Sequence, residues 1–149
     1  MFMKIAKYLF ALFIAVVALQ AVGCHQDENI KNSSEQLIQK VFVVNIVPNE
    51  QKLKEYLSYH AQVWPEVEAG FRKAGYKKIA LYRYHYLVVM VVTVPKNADL
   101  ANMGKMAESY SPKCAAWNKL MAGYQTGVPG TNAGATWVEA FPYYQFENQ

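Results

Sequence analysis

Two apolar segments in the middle of the chain constrain its fold most, because so little separates them. Residues 78–83 (KIALYR) and 87–94 (LVVMVVTV) are rich in β-branched and aromatic side chains, which favour strands. Only three residues lie between them, so a tight turn must join the two segments. We predict this turn near Tyr84 and His85, although neither is the Asn or Gly that two-residue turns prefer.

The first half of the chain predicts one further strand and a helix. Residues 40–47 (KVFVVNIV) are β-branched and apolar, which is typical of a buried strand. Asn49 is a favourable cap for a helix that begins near Glu50. Pro65 then either kinks this helix or begins a second segment, and Gly75 ends it.

The second half predicts another helix and a last strand. Asn97 can cap a helix over 98–108, and the Ser-Pro pair at 111–112 restarts it as a further segment. Residues 123–134 are rich in Gly, Pro, Thr and Asn and predict a loop. Residues 136–146 (TWVEAFPYYQF) predict the final strand, whose internal proline indicates an edge or a bulge.

The resulting order is β-α-β-β-α-β, which predicts a ferredoxin-like α+β sandwich with both helices on one face of the sheet. The strands are apolar at nearly every position, so the face without helices should also be covered. A second copy of the sheet would cover it, and we therefore expect a homodimer that forms a dimeric α/β barrel.

The predicted first helix carries the most informative pattern for function. Tyr56, His60 and Trp64 recur at steps of four and would lie along one helix face. An amphipathic helix that packs its aromatics on a sheet explains the same spacing. A phenol, an imidazole and an indole on one stripe also supply an acid, a base and a flat surface for a sugar ring.

Charge and cysteine content exclude several classes of function. Without Lys4 and Lys7 of the N-terminus, the chain has 13 Lys and Arg and 11 Asp and Glu, so its charges nearly balance. It also lacks the long basic run that would indicate nucleic-acid binding. Three histidines, with no CxxC or HExxH motif, make a metal site unexpected. Cys114 is expected to be a buried apolar filler, and His85 a surface residue.

The N-terminus predicts secretion and lipidation. A short basic region, a brief apolar run and small residues before Cys24 resemble a bacterial lipoprotein signal at residues 1–23, with Cys24 as the lipidated residue. Ordinary cleaved secretion and an uncleaved anchor are the alternatives. Residues 24–38 predict a polar tether and 39–149 the folded domain. We therefore expect a lipid-anchored protein of the bacterial cell envelope.

The ordered motifs resemble the L-rhamnose mutarotase family, whose members are small dimeric α+β barrels, and the resemblance covers about Val41 to Phe146. The family has a Tyr and a His four residues apart followed by Trp-Pro-Glu, matched here by Tyr56, His60, Trp64, Pro65 and Glu66. Weaker matches follow in order: Gly75, Tyr82 in the next strand, Cys114-Ala115-Ala116-Trp117, and Glu139-Ala140-Phe141.

This resemblance implies a mutarotase that needs no metal or organic cofactor and acts on L-rhamnose or a related deoxysugar. It implies His60 as the principal acid/base and Tyr56 as its catalytic partner. The sugar-binding residues that it implies are Trp117, Trp64, Tyr82 and Asn118.

Two positions depart from the family pattern. The family usually has a second tryptophan where this chain has Asn118, and a tyrosine where an ungapped alignment places Ile79. These replacements leave open a non-catalytic carbohydrate-binding lipoprotein on the same scaffold. An oxygenase-like or haem-handling barrel shares the architecture but has no specific residue support here.

Overall fold

A computed structural model describes residues 35–148, so the predicted signal, Cys24 and most of the predicted tether lie outside the described residues. Residues 35–148 form five strands and four helices. In chain order they are β1 (Leu37–Ile46), α1 (Glu50–Ala61), α2 (Pro65–Ala74), β2 (Lys78–Tyr84), β3 (Leu87–Pro95), α3 (Leu100–Ser109), α4 (Pro112–Ala122), β4 (Gln125–Thr126) and β5 (Val138–Ala140). β1 thus begins within the segment predicted as tether. None of the helices in this part of the chain is long and apolar enough to cross a membrane.

All described strand pairs are antiparallel, in the order β2-β3-β1, with β4 and β5 both pairing with the free edge of β1. The hairpin of β2 and β3 is as predicted, with Tyr84 opposite Leu87. His85 in its turn has φ 50°, the left-handed region that His enters more readily than most residues. The predicted ferredoxin-like α+β fold is confirmed.

One side of the sheet is covered by the helices and the other is open. Side chains alternate along a strand, and directly paired residues share a side. Val44, Ile46, Val88, Val92 and Val94 are buried and all lie on one side, which we call the helix side. We call the opposite side the open side. It is also apolar, and none of its following residues is buried: Val41, Val43, Ala80, Tyr82, Tyr84, Leu87, Val89 and Val91.

The helix side carries two core clusters. The first contains Val44, Ile46, Leu53, Tyr56, Val67, Val88, Trp117 and Met121. The second contains Ala74, Val94, Met103 and Ala107. Burial of each large apolar side chain stabilises the fold by about 1.5–3 kcal/mol. The helices are therefore held on the sheet at two separate places.

Local signals set the helix ends. The Asn49 side chain accepts a hydrogen bond from the Lys52 amide, as predicted, and Ser111 caps α4 in the same way through the Lys113 amide. Gly75 ends α2 with φ 93°, a conformation that glycine adopts without steric cost. The predicted cap Asn97 was wrong: α3 begins later and Asp99 caps it.

The final strand is much shorter than predicted. β5 covers three residues rather than 136–146, and the predicted loop contains β4. Both strands share one edge of β1, so each pairs with only two or three residues of it. Pro142 lacks the backbone N–H that continued pairing would need.

We predict that Gly70→Ala destabilises the protein by about 1–3 kcal/mol. A Cβ at Gly70 of α2 would lie 2.7 Å from the backbone oxygen of Ala107 in α3. The matched control is Gly104→Ala in α3, where a Cβ meets nothing within 4 Å. This control should stabilise by roughly 0.5–1 kcal/mol through helix propensity. Urea unfolding measures both, and a Gly70→Ala variant as stable as the wild type contradicts this close helix packing.

Candidate active site

α1 places Tyr56 and His60 one helical turn apart. Their ring centroids are 4.2 Å apart and the ring planes are inclined by 40°. The predicted helical stripe ends there, because α1 stops at Ala61 and Trp64 lies beyond it. Pro65 restricts the preceding residue to extended backbone, and Trp64 has ψ 133°. The prediction that all three residues share one helix was therefore wrong.

Tertiary packing nevertheless brings Trp64 to the same place. The Trp117 ring of α4 lies edge-on to the rings of His60 and Trp64, with centroid distances of 5.4 Å and 5.3 Å. Tyr59 approaches the same indole at 6.4 Å. Trp117 is only 5% exposed. We call Tyr56, His60, Trp64 and Trp117 the aromatic cluster, and its only titrating base is the imidazole.

The hydrogen bond of His60 fixes which ring nitrogen is available. Nδ1 lies 2.9 Å from the backbone oxygen of Tyr56, one turn earlier in α1. Since a carbonyl oxygen only accepts, Nδ1 must carry the proton and donate it. In the neutral ring the lone pair is therefore on Nε2, which is the nitrogen that can take a proton from a ligand.

Burial controls the protonation of both predicted catalytic residues. It lowers the pKa of His60 below its ordinary value of 6.5, against a smaller opposite effect of the hydrogen bond to Tyr56. Burial also raises the pKa of the Tyr56 phenol above 10.0, partly offset by a hydrogen bond with the Gln125 side chain. Near neutral pH the site therefore pairs a neutral imidazole with a protonated phenol.

Sequence reasoning missed two residues that support this pair. Tyr124 packs against Tyr56 and Tyr59, with ring centroids 6.3 Å and 6.1 Å away, and its hydroxyl donates to Glu55 Oε2 at 3.1 Å. The side chain of Gln125, in β4, forms the hydrogen bond that partly lowers the pKa of the Tyr56 phenol. Both belong to a segment predicted as a loop, and no motif in the sequence distinguishes them.

Two predicted sugar-binding residues do not join the aromatic cluster. Tyr82 is 59% exposed on the open side of the sheet, opposite the helices. Asn118 is exposed and lines a separate cavity of about 100 Å³ with Phe71 and Cys114. Cys114 is buried, and its Sγ–H donates to the backbone oxygen of Glu66 at 3.3 Å.

A larger cavity of about 380 Å³ lies between α1 and the end of the β2–β3 hairpin. Leu53 and Leu57 line it from α1, and Arg83, His85 and Tyr86 from the hairpin. Within residues 35–148, no three His, Cys, Asp or Glu side chains are grouped so that they could hold a metal ion. The titratable side chains of the aromatic cluster are thus the neutral imidazole of His60 and the protonated phenol of Tyr56.

Comparison with known proteins finds a matching family, a similar sequence and a similar solved structure. A family model described as L-rhamnose mutarotase matches residues 39–146. An L-fucose mutarotase of Xanthomonas campestris pv. campestris is 30% identical over 101 residues, which are 66% of this chain and 80% of that protein. The crystal structure of an L-rhamnose mutarotase from Formosa agariphila superposes with a TM-score of 0.51 at 17% identity, covering 74% of this chain and 99% of the other. At that identity the superposition supports the fold alone.

Proposed function

Because the chain belongs to the L-rhamnose mutarotase family, we propose that it interconverts the α and β anomers of a 6-deoxyhexose. L-Rhamnose and L-fucose are the first candidates, since the matching family model and a relative at 30% identity bear these names. The single observation that carries the proposal is the imidazole of His60, whose Nδ1 is occupied and whose Nε2 is left as a base.

The proposed reaction needs one proton acceptor and one proton donor. His60 Nε2 takes the proton of the anomeric hydroxyl while the bond between the anomeric carbon and the ring oxygen breaks, and the Tyr56 hydroxyl gives its proton to the ring oxygen. The product is the open-chain aldehyde. Closure on the opposite face of the carbonyl, with the proton transfers reversed, gives the other anomer.

Tyr56 and Trp117 have supporting roles in this proposal. The Tyr56 hydroxyl is protonated before the reaction because its pKa is raised by burial, so it has the proton that the ring oxygen gains. Trp117 is buried and lies edge-on to the imidazole. This packing suits a residue that holds His60 in place better than one that offers a broad platform to the sugar. Trp64 is partly exposed beside it and presents the more accessible indole.

NMR exchange spectroscopy tests the proposal directly. Magnetisation exchange between the α and β anomeric protons would be measured for L-rhamnose, L-fucose and D-glucose, with and without the purified protein. Acceleration above buffer for a 6-deoxyhexose supports a mutarotase. Sugar binding without any acceleration selects the carbohydrate-binding protein instead.

The pH dependence of exchange is a second prediction. His60 must be neutral to act as a base, and its pKa lies below 6.5. The protein-dependent rate should therefore not change with pH near 7 and should fall only below pH 6.5. The unfolded chain binds this proton more readily than the folded one, so unfolding free energy should also fall as pH drops below about 6.5. A His60 NMR titration or a rate profile with its midpoint above 6.5 contradicts this assignment.

We also propose a homodimer that pairs the open sides of two sheets. Val41, Val43, Val89 and Val91 form the centre of this side and none is buried within one chain. Burial of such a surface is the main driving force of stable association. Analytical ultracentrifugation should give a dimer, and Val91→Asp should give a monomer. A wild-type monomer at micromolar concentration contradicts the pairing.

Attachment to the bacterial cell envelope through a lipid on Cys24 is a further proposal, supported by the signal-like N-terminus alone. Mass spectrometry of the protein purified from membranes should show a diacylglyceryl-modified N-terminal cysteine. Cys24→Ser should release the protein from the membrane fraction. An unmodified Cys24 in the purified protein contradicts lipidation.

A further inference from the structure

The cavity of about 380 Å³ between α1 and the β2–β3 hairpin is separate from the aromatic cluster, because none of the four side chains of that cluster lines it. Its charged lining residues are Glu50 and Lys54 of α1 and Arg83 of β2. Leu53 and Leu57 supply its apolar wall. The cavity is therefore a second concave surface with different chemistry from the aromatic cluster.

Tyr86 joins the walls of this cavity. Its backbone oxygen accepts a hydrogen bond from the Ile46 amide at 2.8 Å, which fixes the end of the hairpin to β1. Its hydroxyl donates to Glu50 Oε1 at 2.6 Å, which joins the hairpin to the first turn of α1. Walls that are joined in this way lose little conformational entropy when a ligand binds between them.

Arg83 lies on the side of the sheet that the helices cover. It is the cross-strand neighbour of Val88, which is buried on the helix side, so Arg83 is on that side as well. Its Nη1 donates to the His85 backbone oxygen at 2.8 Å. A guanidinium has five N–H donors in one plane, so this bond orients the group and leaves other donors for a ligand.

Neither cation of the cavity is neutralised by a carboxylate. Lys54 follows Glu50 by four residues in α1, a spacing that commonly pairs opposite charges. Glu50 instead accepts the hydrogen bond from Tyr86, and this bond raises the pKa of the Tyr86 phenol, which therefore stays protonated. None of the ion pairs formed within residues 35–148 involves Lys54 or Arg83. Two positive charges and one negative charge therefore give the cavity a net attraction for an anion.

We propose that this cavity binds a small organic anion of monosaccharide size, with its carboxylate or phosphate group on Lys54 and Arg83. A guanidinium matches both kinds of acid group with two parallel hydrogen bonds, and an ammonium adds a point charge. Leu57 is 39% exposed and offers the rest of the ligand an apolar contact. The volume of about 380 Å³ lies at the lower end of the range for small-molecule sites, which suits a ligand of this size.

Matched ligands test the site by NMR. Backbone amide shifts of the purified protein would be followed in titrations with D-glucuronate, D-glucose 6-phosphate and D-glucose, which share one sugar ring and differ in the acidic group. We expect at least one of the two acids to shift the amides of residues 50–57 and 83–86, and D-glucose to leave them unchanged. A preference between the two acids identifies the acidic group.

Lys54→Gln and Arg83→Gln should each raise the dissociation constant of the acid by about 3–5-fold, as expected for the loss of one exposed charge pair. Lys105→Gln is the matched control, because it removes the same charge from an exposed residue of α3 that does not line the cavity. It should leave the dissociation constant unchanged.

Three results would overturn this assignment: binding of D-glucose as tight as that of both acids, no binding of either acid, or an affinity that Lys54→Gln and Arg83→Gln leave at the wild-type value. None of these readouts measures anomer exchange. The outcome is therefore independent of the proposed mutarotase activity.

Discussion

Replacing His60 with glutamine is expected to lower the protein-dependent rate of anomer exchange by about 10²–10⁴-fold. His60 is the imidazole of the aromatic cluster, and its Nε2 is the base that the proposed mechanism uses. Glutamine places an amide near the position of Nε2 but has no group that exchanges a proton near neutral pH. The rate constant is measured by NMR exchange with L-rhamnose or the preferred aldose.

His85→Asn is the matched control for this variant. His85 is exposed in the β2–β3 turn with φ 50°, and asparagine accepts this left-handed conformation. Its exchange rate should equal that of the wild type. A folded His60→Gln protein that exchanges anomers at the wild-type rate removes His60 from the mechanism.

The element order was predictable because it depends on local signals. Strands appear as β-branched runs, and helix ends follow caps such as Asn49, Ser111 and Gly75, whose hydrogen bonds or φ involve only neighbouring residues. β4 and the short β5 were not predictable in the same way. Their extent depends on how they share one edge of β1, which is a tertiary property.

In the candidate site, too, some residue positions follow from local sequence and others depend on tertiary packing. The pair Tyr56 and His60 follows from helical spacing, whereas Trp64 joins them only because α2 and α4 pack together. Tyr82 was assigned to the sugar site, but the register places it on the open side. β2 is apolar on both sides, so its sequence lacks the alternation that would have shown which residues face the helices.

Replacing Trp117 with alanine is expected to lower the free energy of unfolding by about 3–5 kcal/mol. Its indole is 5% exposed in the first core cluster and contacts the rings of Tyr59, His60 and Trp64. Removing it leaves a cavity between α1 and α4 that these neighbours fill only in part. Urea unfolding gives the loss of stability. Trp117→Phe, which retains an aromatic ring, should cost less than Trp117→Ala.

Asn118→Ala is the control. Asn118 follows Trp117 in α4 and is exposed, so its substitution should change the free energy of unfolding by less than about 0.5 kcal/mol. Trp117→Ala and Trp117→Phe also decide between two roles for the indole. If Trp117 holds His60 in place, Trp117→Phe should reduce the rate constant of exchange more than it changes sugar affinity. If Trp117→Ala keeps nearly wild-type stability but loses sugar affinity, the indole binds the sugar, as the family resemblance implies, and the described packing is wrong at this residue.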